Sequence, residues 1–291
     1  MEFIKECPVC ETEKQENFLK CKDYLKTQDD FQMVQCINCG FVFTNPRPPE
    51  EAIQEYYQSE DYFSHKNKST SLISSLYNFV RKLNVNNKLK LIADYHSTAK
   101  TLLDYGCGAG IFLEAARDKS FQVKGVEPSI DARKITSDLG LDVSSPDELM
   151  NLQDNSIDVI TLWHVLEHIH HLNTSFDSLK SKLTSDGIMV IALPNLNSWD
   201  AIQYEAKWAA YDLPRHLYHF SKNSFSQFAE KHGMKIVGIH PMKFDAFYVS
   251  LLSEANSVLK YPNAILNGMR SNFSARKSLN HSSLIYILQK L

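Results

Sequence analysis

A glycine-rich segment gives the clearest chemical signal in the sequence. Gly106, Gly108 and Gly110 fall within five residues of a chain that has 10 glycines in 291 residues. The segment follows an apolar run that ends at Asp104 and Tyr105, and it precedes a helical pattern. Glycine lets the backbone turn sharply and approach a ligand closely, because no Cβ is in the way. The segment therefore predicts a strand, a ligand-binding turn and a helix.

An acidic residue completes this pattern. Glu127 ends a second apolar run, 23 residues after Asp104, where nucleotide-binding folds of this kind bind a ribose diol. The ligand is then a dinucleotide or S-adenosylmethionine. Asp104 would repel a pyrophosphate but would attract an ammonium and a sulfonium group. We therefore expect Asp104, Gly106, Gly108 and Glu127 to bind S-adenosylmethionine.

Two Cys-x2-Cys turns near the start of the chain indicate a metal site. Cys7 and Cys10 form the first turn, Cys36 and Cys39 form the second, and 25 residues separate the two pairs. Four thiolates on two tight turns are typical of a tetrahedral structural Zn²⁺ site. The alternative is four reduced, buried cysteines in a small hydrophobic subdomain. A segment of about 45 residues seldom forms a stable core without a metal, which favours zinc.

Histidines concentrate in a second segment, with four of the eleven between His164 and His171. His164, Glu167 and His168 match H-x-x-E-H, a signature in which two helical histidines bind zinc. Here the motif follows a predicted strand, which favours the carboxyl edge of a sheet, where open α/β sheets bind ligands. We expect Trp163 and His164 to face the cofactor and His168 to face the substrate.

The segment 195–221 is the richest in aromatic and imidazole side chains. Arg215 suits a phosphate or a carboxylate, and His216 suits proton abstraction near neutral pH. Tyr211 and Tyr218 are further candidates for contact with the substrate. The alternative for each aromatic residue is packing over the sheet. Ser221 is expected to cap the helix that follows.

The elements that must position these residues alternate along the chain. Short apolar runs and amphipathic helical segments follow one another, which indicates βαβ units and a mostly parallel sheet covered on both faces. The predicted strands are 101–105, 121–126, 141–143, 157–163, 187–193, 234–240 and 244–251. The predicted helices are 111–119, 130–139, 172–183 and 224–232.

The sequence divides into four predicted regions. Residues 1–45 form the zinc-binding module and end at a segment with three prolines in four residues, which fixes backbone angles and favours a boundary. Residues 46–98 form a helical connector or cap. Residues 99–252 form the cofactor-binding domain. Residues 253–291 are a weakly patterned, locally basic C-terminal extension.

Composition narrows the classes of function. The chain is 43% hydrophobic and has a formal net charge of −3, so no global basic field points to nucleic acid or to an anionic bilayer. No apolar run approaches the roughly 18 residues of a membrane span, and the N-terminus lacks a secretory pattern. We expect a cytoplasmic protein with reduced cysteines and a small-molecule substrate, and a homo-oligomer stays open.

The ordered motifs resemble those of class I S-adenosylmethionine-dependent methyltransferases. Residues 103–110 and 125–128 resemble the first two motifs, 156–168 the fourth-strand motif, and 187–195 the fifth. With the cysteine turns and residues 215–221, the chain is similar to bacterial sugar C-methyltransferases and to methyltransferases of polysaccharide pathways. The resemblance implies a Rossmann-like seven-stranded α/β sheet with a small N-terminal zinc-ribbon-like module and a helical cap.

The resemblance also implies an activity. The expected reaction is C- or O-methylation of a small molecule. The leading substrate class is a nucleotide-linked or polysaccharide-precursor sugar. His216 matches the catalytic histidine of the sugar enzymes, and His168 is the second candidate base. Those enzymes carry Glu where this chain has Arg215. Two alternatives stay open: a quinone-type O-methyltransferase, and a non-catalytic zinc, protein- or RNA-binding module on a methyltransferase scaffold.

Overall fold

Two β-sheets form the framework of the part of the chain that the structure describes. The computed structural model describes residues 1–57, 72–255 and 257–291, with the backbone alone for residues 72–81. Residues 58–71 of the predicted connector lie outside the described residues. The strands are β1 (Gln15–Lys22), β2 (Asp30–Cys36), β3 (Val42–Thr44), β4 (Thr101–Tyr105), β5 (Gln122–Val126), β6 (Val143–Ser144), β7 (Ile157–Trp163), β8 (Leu183–Pro194), β9 (Tyr218–His219), β10 (Met234–Pro241) and β11 (Ser283–Lys290).

Helices connect most of these strands. They are α1 (Glu50–Ile53), α2 (Leu72–Tyr95), α3 (Ile111–Asp118), α4 (Ile130–Asp138), α5 (Leu172–Lys182), α6 (Trp199–Tyr204), α7 (Lys222–Lys231), α8 (Asp245–Ser253) and α9 (Lys260–Ser278). Ser221 accepts a hydrogen bond from the backbone N–H of Ser224 at the start of α7, so the predicted cap is confirmed. Among the described residues, no helix is both long enough and apolar enough to span a bilayer. A cytoplasmic location stays a prediction.

The larger sheet has seven strands in the order β10-β11-β8-β7-β4-β5-β6. The five neighbouring strands β8, β7, β4, β5 and β6 are parallel to one another, whereas β11 runs antiparallel to both β8 and β10. Side chains of β8 alternate between two cores: Met189 and Ile191 pack on the side of α5 and α7, and Val190 and Ala192 pack on the side of α2 and α3. This confirms the predicted seven-stranded α/β sheet with both faces covered.

Two predictions about the end of the sheet were wrong. The run 244–251 forms part of α8 instead of a strand, because its buried residues Ala246, Val249 and Ser250 recur at helical spacing. The seventh strand is β11, which lies in the predicted C-terminal extension. Its central residues are buried because the strand lies between β8 and β10 and a hydrophobic core covers each of its faces. An unbroken apolar run of this kind is the sequence signal of such an interior strand.

The smaller sheet joins the N-terminal segment to a short strand that follows β8 in the chain. It is antiparallel, in the order β1-β2-β3-β9, and Val42 and Phe43 of β3 pair with His219 and Tyr218 of β9. Residues 1–45 therefore share a sheet and a hydrophobic core with residues that follow β8. The division of the chain into four regions stays a prediction.

Candidate functional site

The glycine loop connects β4 to α3 at the carboxyl edge of the large sheet. Gly106, Gly108 and Gly110 have φ angles of 77°, 54° and 78°, a region that side chains with a Cβ rarely adopt. A Cβ on Gly106 would lie 2.4 Å from Cγ2 of Val165, and one on Gly110 would lie 2.8 Å from Cγ2 of Thr136. A Cβ on Gly108 would meet no atom within 4 Å. Gly108 is thus the position at which a ligand can approach the backbone.

Glu127 lies against this loop, as the sequence predicts. Its Oε2 accepts a hydrogen bond from the backbone N–H of Gly108 and its Oε1 accepts one from Ser129, each at 2.9 Å. The residue is 8% exposed. Two backbone donors therefore hold the carboxylate beside the open space over Gly108.

Asp104 lies beneath the same space and is completely enclosed. Burial raises the pKa of its carboxyl to about 7, although the Thr161 hydroxyl, which donates to Oδ1 at 2.5 Å, and the nearby Lys88 both lower it. Lys88 comes from α2, and burial lowers the pKa of its ammonium to about 8. Its Nζ lies 3.9 Å from the centroid of the Trp163 ring. No sequence pattern had pointed to Lys88, because it is one lysine in a connector helix.

Trp163 and His164 end β7 at the same edge. The Trp163 ring packs edge-to-face on Phe112, and its Nε1 is buried without a hydrogen-bond partner among the described residues. His164 has a φ of 57°, a strained conformation of the kind found at functional sites. Its Nε2 lies 3.0 Å from Oδ2 of Asp245, and its Nδ1 lies 3.4 Å from Oε1 of Glu167. Burial lowers the pKa of His164, but these two carboxylates outweigh burial and raise it to about 9.

Glu167, His168 and His216 form a group that we call the histidine cluster. The rings of His168 and His216 are 4.5 Å apart, nearly perpendicular. One ring nitrogen of each and one carboxylate oxygen of Glu167 lie within 4.8 Å of one another. Tyr57 extends the cluster, since its hydroxyl lies 2.9 Å from Nδ1 of His168. The structure thus brings together the two histidines that the sequence predicts as candidate bases.

A backbone carbonyl contacts Nδ1 of each ring. Nδ1 of His216 lies 2.9 Å from the carbonyl of Ala210, and Nδ1 of His168 lies 3.0 Å from that of Arg215. A carbonyl only accepts, so Nδ1 of His216 donates and its Nε2 carries the lone pair when the ring is neutral. Nδ1 of His168 has a second partner in the Tyr57 hydroxyl at 2.9 Å. Burial and the neighbouring His168 hold the pKa of His216 well below its usual value, although Glu167 opposes them. His216 is therefore a neutral imidazole, and its Nε2 lies 3.9 Å from Oδ2 of Asp212.

Glu167 belongs to the predicted motif, but the sequence gave it no role. It is 1% exposed, and its Oε1 forms an ion pair with Nδ1 of His164 at 3.4 Å. Burial raises its pKa, but His164 above all, together with His216 and His168, holds the pKa below its usual value. The cluster therefore contains a buried negative charge next to two imidazoles.

Arg215 does not occupy the predicted anion-binding position. It is 1% exposed, and its Nη2 donates to Asp23 at 2.9 Å and to Asp212 at 2.7 Å. Nη1 donates to the carbonyl of Tyr56 at 3.1 Å. Two carboxylates thus neutralise the guanidinium, and its donors already have partners. Arg215 is a structural residue that precedes His216.

Tyr211 and Tyr218 also differ from the prediction, because both are buried in packing contacts. Tyr211 packs edge-to-face on Trp208 and His219, and burial raises its pKa. The Tyr218 hydroxyl donates to the carbonyl of His170 at 2.9 Å and accepts from Arg47 at 2.8 Å. These contacts match the alternative interpretation, in which the aromatic segment packs over the sheet.

The four cysteines of the two turns converge at one end of the small sheet. Sγ of Cys7 lies 3.5 Å from Sγ of Cys39, Sγ of Cys10 lies 3.5 Å from Sγ of Cys36, and all four lie within 4.8 Å of one another. With Zn–S bonds of about 2.3 Å, a tetrahedral site has sulfur–sulfur edges of roughly 3.8 Å. The donor set therefore fits a structural zinc ion.

The two cysteine turns share one backbone pattern. Glu11 N–H donates to the carbonyl of Cys7 at 2.8 Å, and Gly40 N–H donates to that of Cys36 at 2.9 Å. Glu11 and Gly40 follow the second cysteine of each turn and have φ angles of 62° and 73°. Each turn therefore presents its pair of sulfurs in the same way.

The sequence is similar to those of known methyltransferases. A family model described as a methyltransferase domain matches residues 78–239. The ubiquinone biosynthesis O-methyltransferase of Actinobacillus pleuropneumoniae serotype 7 is 28% identical over 137 residues, which cover 42% of this chain and 58% of that protein. That of Paraburkholderia xenovorans is 22% identical over 183 residues, covering 58% of this chain and 79% of that protein. The chain thus spans little more than half the length of the first of these relatives.

Solved structures show the same fold. A SAM-dependent methyltransferase from Archaeoglobus fulgidus is 21% identical with a TM-score of 0.51, over 72% of this chain and 94% of that one. A geranyl diphosphate methyltransferase in complex with SAM is 12% identical with a TM-score of 0.54, over 77% and 92%. At these identities the similarity concerns the fold alone.

Proposed function

Because the chain belongs to the methyltransferase-domain family, whose domain uses S-adenosylmethionine, we propose that it methylates a small molecule at a hydroxyl oxygen or a neighbouring carbon. One observation carries this proposal. The glycine loop follows β4, and Glu167 and His168 of the histidine cluster follow β7, a hydrogen-bonded neighbour of β4. A methyl donor and a proton acceptor would therefore meet at one edge.

On the donor side, the open space over Gly108 and the adjacent acidic groups fit S-adenosylmethionine. When bound, the cofactor supplies a methyl group activated by a sulfonium. Glu127 would accept hydrogen bonds from the ribose hydroxyls, and Asp104 would supply negative potential beneath the cationic part. Trp163 and His164 complete the proposed binding residues at the end of β7. Gly106 makes the turn that gives these groups their positions.

On the acceptor side, His216 would take the proton that the substrate must lose, and His168 would hold the acceptor beside it. A neutral imidazole can accept a proton at once, and the buried carboxylate of Glu167 would stabilise the imidazolium that results. The methyl transfer itself is an in-line displacement. The protein's other contribution is therefore to fix the two reactants in attack geometry.

Two substrate classes fit this site. Curated relatives named as ubiquinone biosynthesis O-methyltransferases favour a quinone precursor with a phenolic hydroxyl. The polar histidine cluster and the motif resemblance favour a sugar. A nucleotide-linked sugar would need a phosphate contact other than Arg215, because that guanidinium is already paired. Methylation of a phenolic hydroxyl is thus the better supported of the two.

The test incubates the full chain with labelled S-adenosylmethionine and two acceptor panels, dihydroxybenzoates and nucleotide-linked sugars. Mass spectrometry of the product separates O- from C-methylation. His216→Gln should lose about 10² to 10⁴ in turnover, the range for a general base, with unchanged cofactor affinity. His171→Gln is a matched control, since His171 is exposed in the same region.

Two results would contradict the proposal. If His216→Gln turns over within about threefold of wild type, proton abstraction belongs elsewhere, and His168→Gln is the next variant to measure. If calorimetry shows no S-adenosylmethionine binding, the result favours the alternative of a non-catalytic binding module on a methyltransferase scaffold. Methylation in neither panel would exclude both substrate classes while leaving the cofactor assignment intact.

We also propose a structural zinc ion held by Cys7, Cys10, Cys36 and Cys39. Four thiolates leave no open position on the metal. The ion would therefore stabilise the small sheet and take no part in methyl transfer.

A further inference from the structure

A helical insertion separates the last two strands of the large sheet. β10 and β11 are antiparallel neighbours, and Pro241 pairs with Leu284. The intervening residues form α8 and α9, which pack against each other: a Cβ on Gly268 would lie 2.5 Å from Cδ1 of Phe247. The sheet itself needs only a short turn here. The insertion is therefore an addition to the sheet, and Asp245 at its start contacts His164.

The longer helix of this insertion, α9, buries small residues and exposes large apolar ones. The buried residues of α9 are small: Ala264, Gly268, Ser271 and Ala275. Its large apolar side chains face solvent, at spacings of four residues along the helix: Tyr261, Ile265, Met269 and Phe273 are 70%, 54%, 58% and 69% exposed. A helix of a globular protein normally buries its large apolar residues.

The exposed stripe continues into the turn between the helices. Val258 and Leu259 are 101% and 59% exposed. We call these two residues together with Tyr261, Ile265, Met269 and Phe273 the apolar face. Six large apolar side chains exposed along one helix and its preceding turn mark an interaction surface.

The charges around the apolar face identify its partner. Residues 242–282 carry five basic and two acidic residues, although the whole chain has a formal net charge of −3. Both acids are engaged: Asp245 pairs with His164, and Glu254 accepts from Asn263. Three of the bases, Arg270, Arg276 and Lys277, are exposed on α9 itself.

A groove that includes Phe273 of the stripe is also lined by both basic and apolar side chains. It has a volume of about 1010 Å³, and Lys243, Arg270, Arg276, Phe247 and Phe273 are among its lining residues. The guanidinium of Arg276 lies 4.8 Å from the centroid of the Phe273 ring. Cations next to apolar side chains match the boundary between phosphate headgroups and acyl chains.

We propose that the apolar face docks on the surface of an anionic phospholipid bilayer. The stripe would enter the headgroup boundary while Arg270, Arg276 and Lys277 contact lipid phosphates. A second copy of the chain fits less well, because a symmetric contact would bring two sets of cations together. The proposal does not depend on the methyl acceptor.

The experiment is a flotation assay of the full chain with vesicles of phosphatidylcholine alone or with about 30% phosphatidylglycerol. The chain should bind the anionic vesicles only, and binding should weaken as salt rises. The variant Ile265→Ser/Met269→Ser/Phe273→Ser should lower the bound fraction at least about tenfold. Arg276→Gln/Lys277→Gln should weaken binding to anionic vesicles. Met150→Ser, at an exposed methionine just after β6, the strand at the opposite edge of the sheet from β10, should bind like wild type.

Three outcomes would overturn the proposal. One is the absence of binding to either kind of vesicle. Another is equal binding by the wild type and the triple serine variant, with circular dichroism confirming that both are folded. The third is a dimer in light scattering that the triple variant dissociates, without vesicle binding, which would assign the face to a second copy.

Discussion

The cofactor loop and the histidine cluster lie at the ends of neighbouring strands, but the chain assembles them differently. Asp104, Gly108 and Glu127 belong to one βαβ unit, and Gly108 bonds directly to Glu127. The cluster combines residues from three distant segments, represented by Tyr57, His168 and His216. A contiguous motif carries most of its own geometry. An assembled cluster takes its geometry from whatever holds the segments together.

Part of the support for His216 comes from the N-terminal part of the chain. The Thr44 hydroxyl donates to the carbonyl of His216 at 2.8 Å. Next to it, Arg215 is anchored to Asp23. Damage to the small sheet should therefore disturb the acceptor side of the site, while the cofactor loop keeps its shape.

Metal removal should have the largest effect. Fresh protein with reduced cysteines should contain about one Zn per chain, and Cys36→Ser or chelation should unfold the small sheet, since structural zinc binding supplies about 10–16 kcal/mol in small zinc modules. Elemental analysis and turnover assays check this. S-adenosylmethionine affinity should change far less than turnover. A metal content below about half an equivalent would exclude a structural zinc site. Equal losses of S-adenosylmethionine affinity and turnover would show that the cofactor loop depends on the small sheet as much as the histidine cluster does.

Arg215→Met should have the next largest effect. It leaves Asp23 and Asp212 without their buried counter-charge, and we expect a loss of about 3–5 kcal/mol in the free energy of unfolding. Denaturant titration measures this loss. Arg270→Met, at an exposed arginine, is the control and should stay within about 0.5 kcal/mol. A comparably small change for Arg215→Met would show that the cluster does not depend on this anchor.

Glu127→Ala tests the locally built region. The free energy of S-adenosylmethionine binding should weaken by about 1.5–3 kcal/mol, the scale of hydrogen bonds to a charged group. Calorimetry measures the affinity, with Glu114→Ala on the exposed side of α3 as the control. An affinity equal to that of wild type would refute the assignment of Glu127.

The smallest expected effect concerns pH and the contact between Asp245 and His164. The pKa of His164 is raised to about 9 in the folded chain, so its imidazolium stabilises the fold fully below about pH 6.5 and loses this contribution as pH rises through 9. Asp245→Asn should cost about 1 kcal/mol or less at pH 6, and the deficit should vanish near pH 10. Urea unfolding across this range measures it, and a deficit that grows with pH would contradict the ion pair.

The same comparison explains how far the sequence predicts the structure. The glycine loop, Glu127, the cysteine turns and the central strands follow from local spacing, because each depends on neighbours within one turn or one βαβ unit. The partner of Arg215 is different. Asp23 lies in the loop between β1 and β2, and no periodicity links it to residue 215. The sequence therefore showed a cation but not the charge that neutralises it.

The remaining differences have related causes. Lys88 acquires its position when α2 packs beside Trp163, so nothing around it in the sequence marks it. The run 244–251 is apolar in both strand and helix periodicity, and its contact with α9 decides the outcome. β11 could have been predicted from the sequence, since an unbroken apolar run is typical of the interior strand that it forms.

The pairing of β3 with β9 also bears on how the chain is made. Val42 pairs with His219, so at a synthesis rate of about 5–20 residues per second the partner strand is translated roughly 9–35 s after β3. During that interval the edge of β3 is unpaired, and the Phe41 and Phe43 rings lack the Tyr218 and Phe220 side chains that cover them in the finished protein. The nascent chain therefore presents an unpaired strand edge to other chains while it is still on the ribosome.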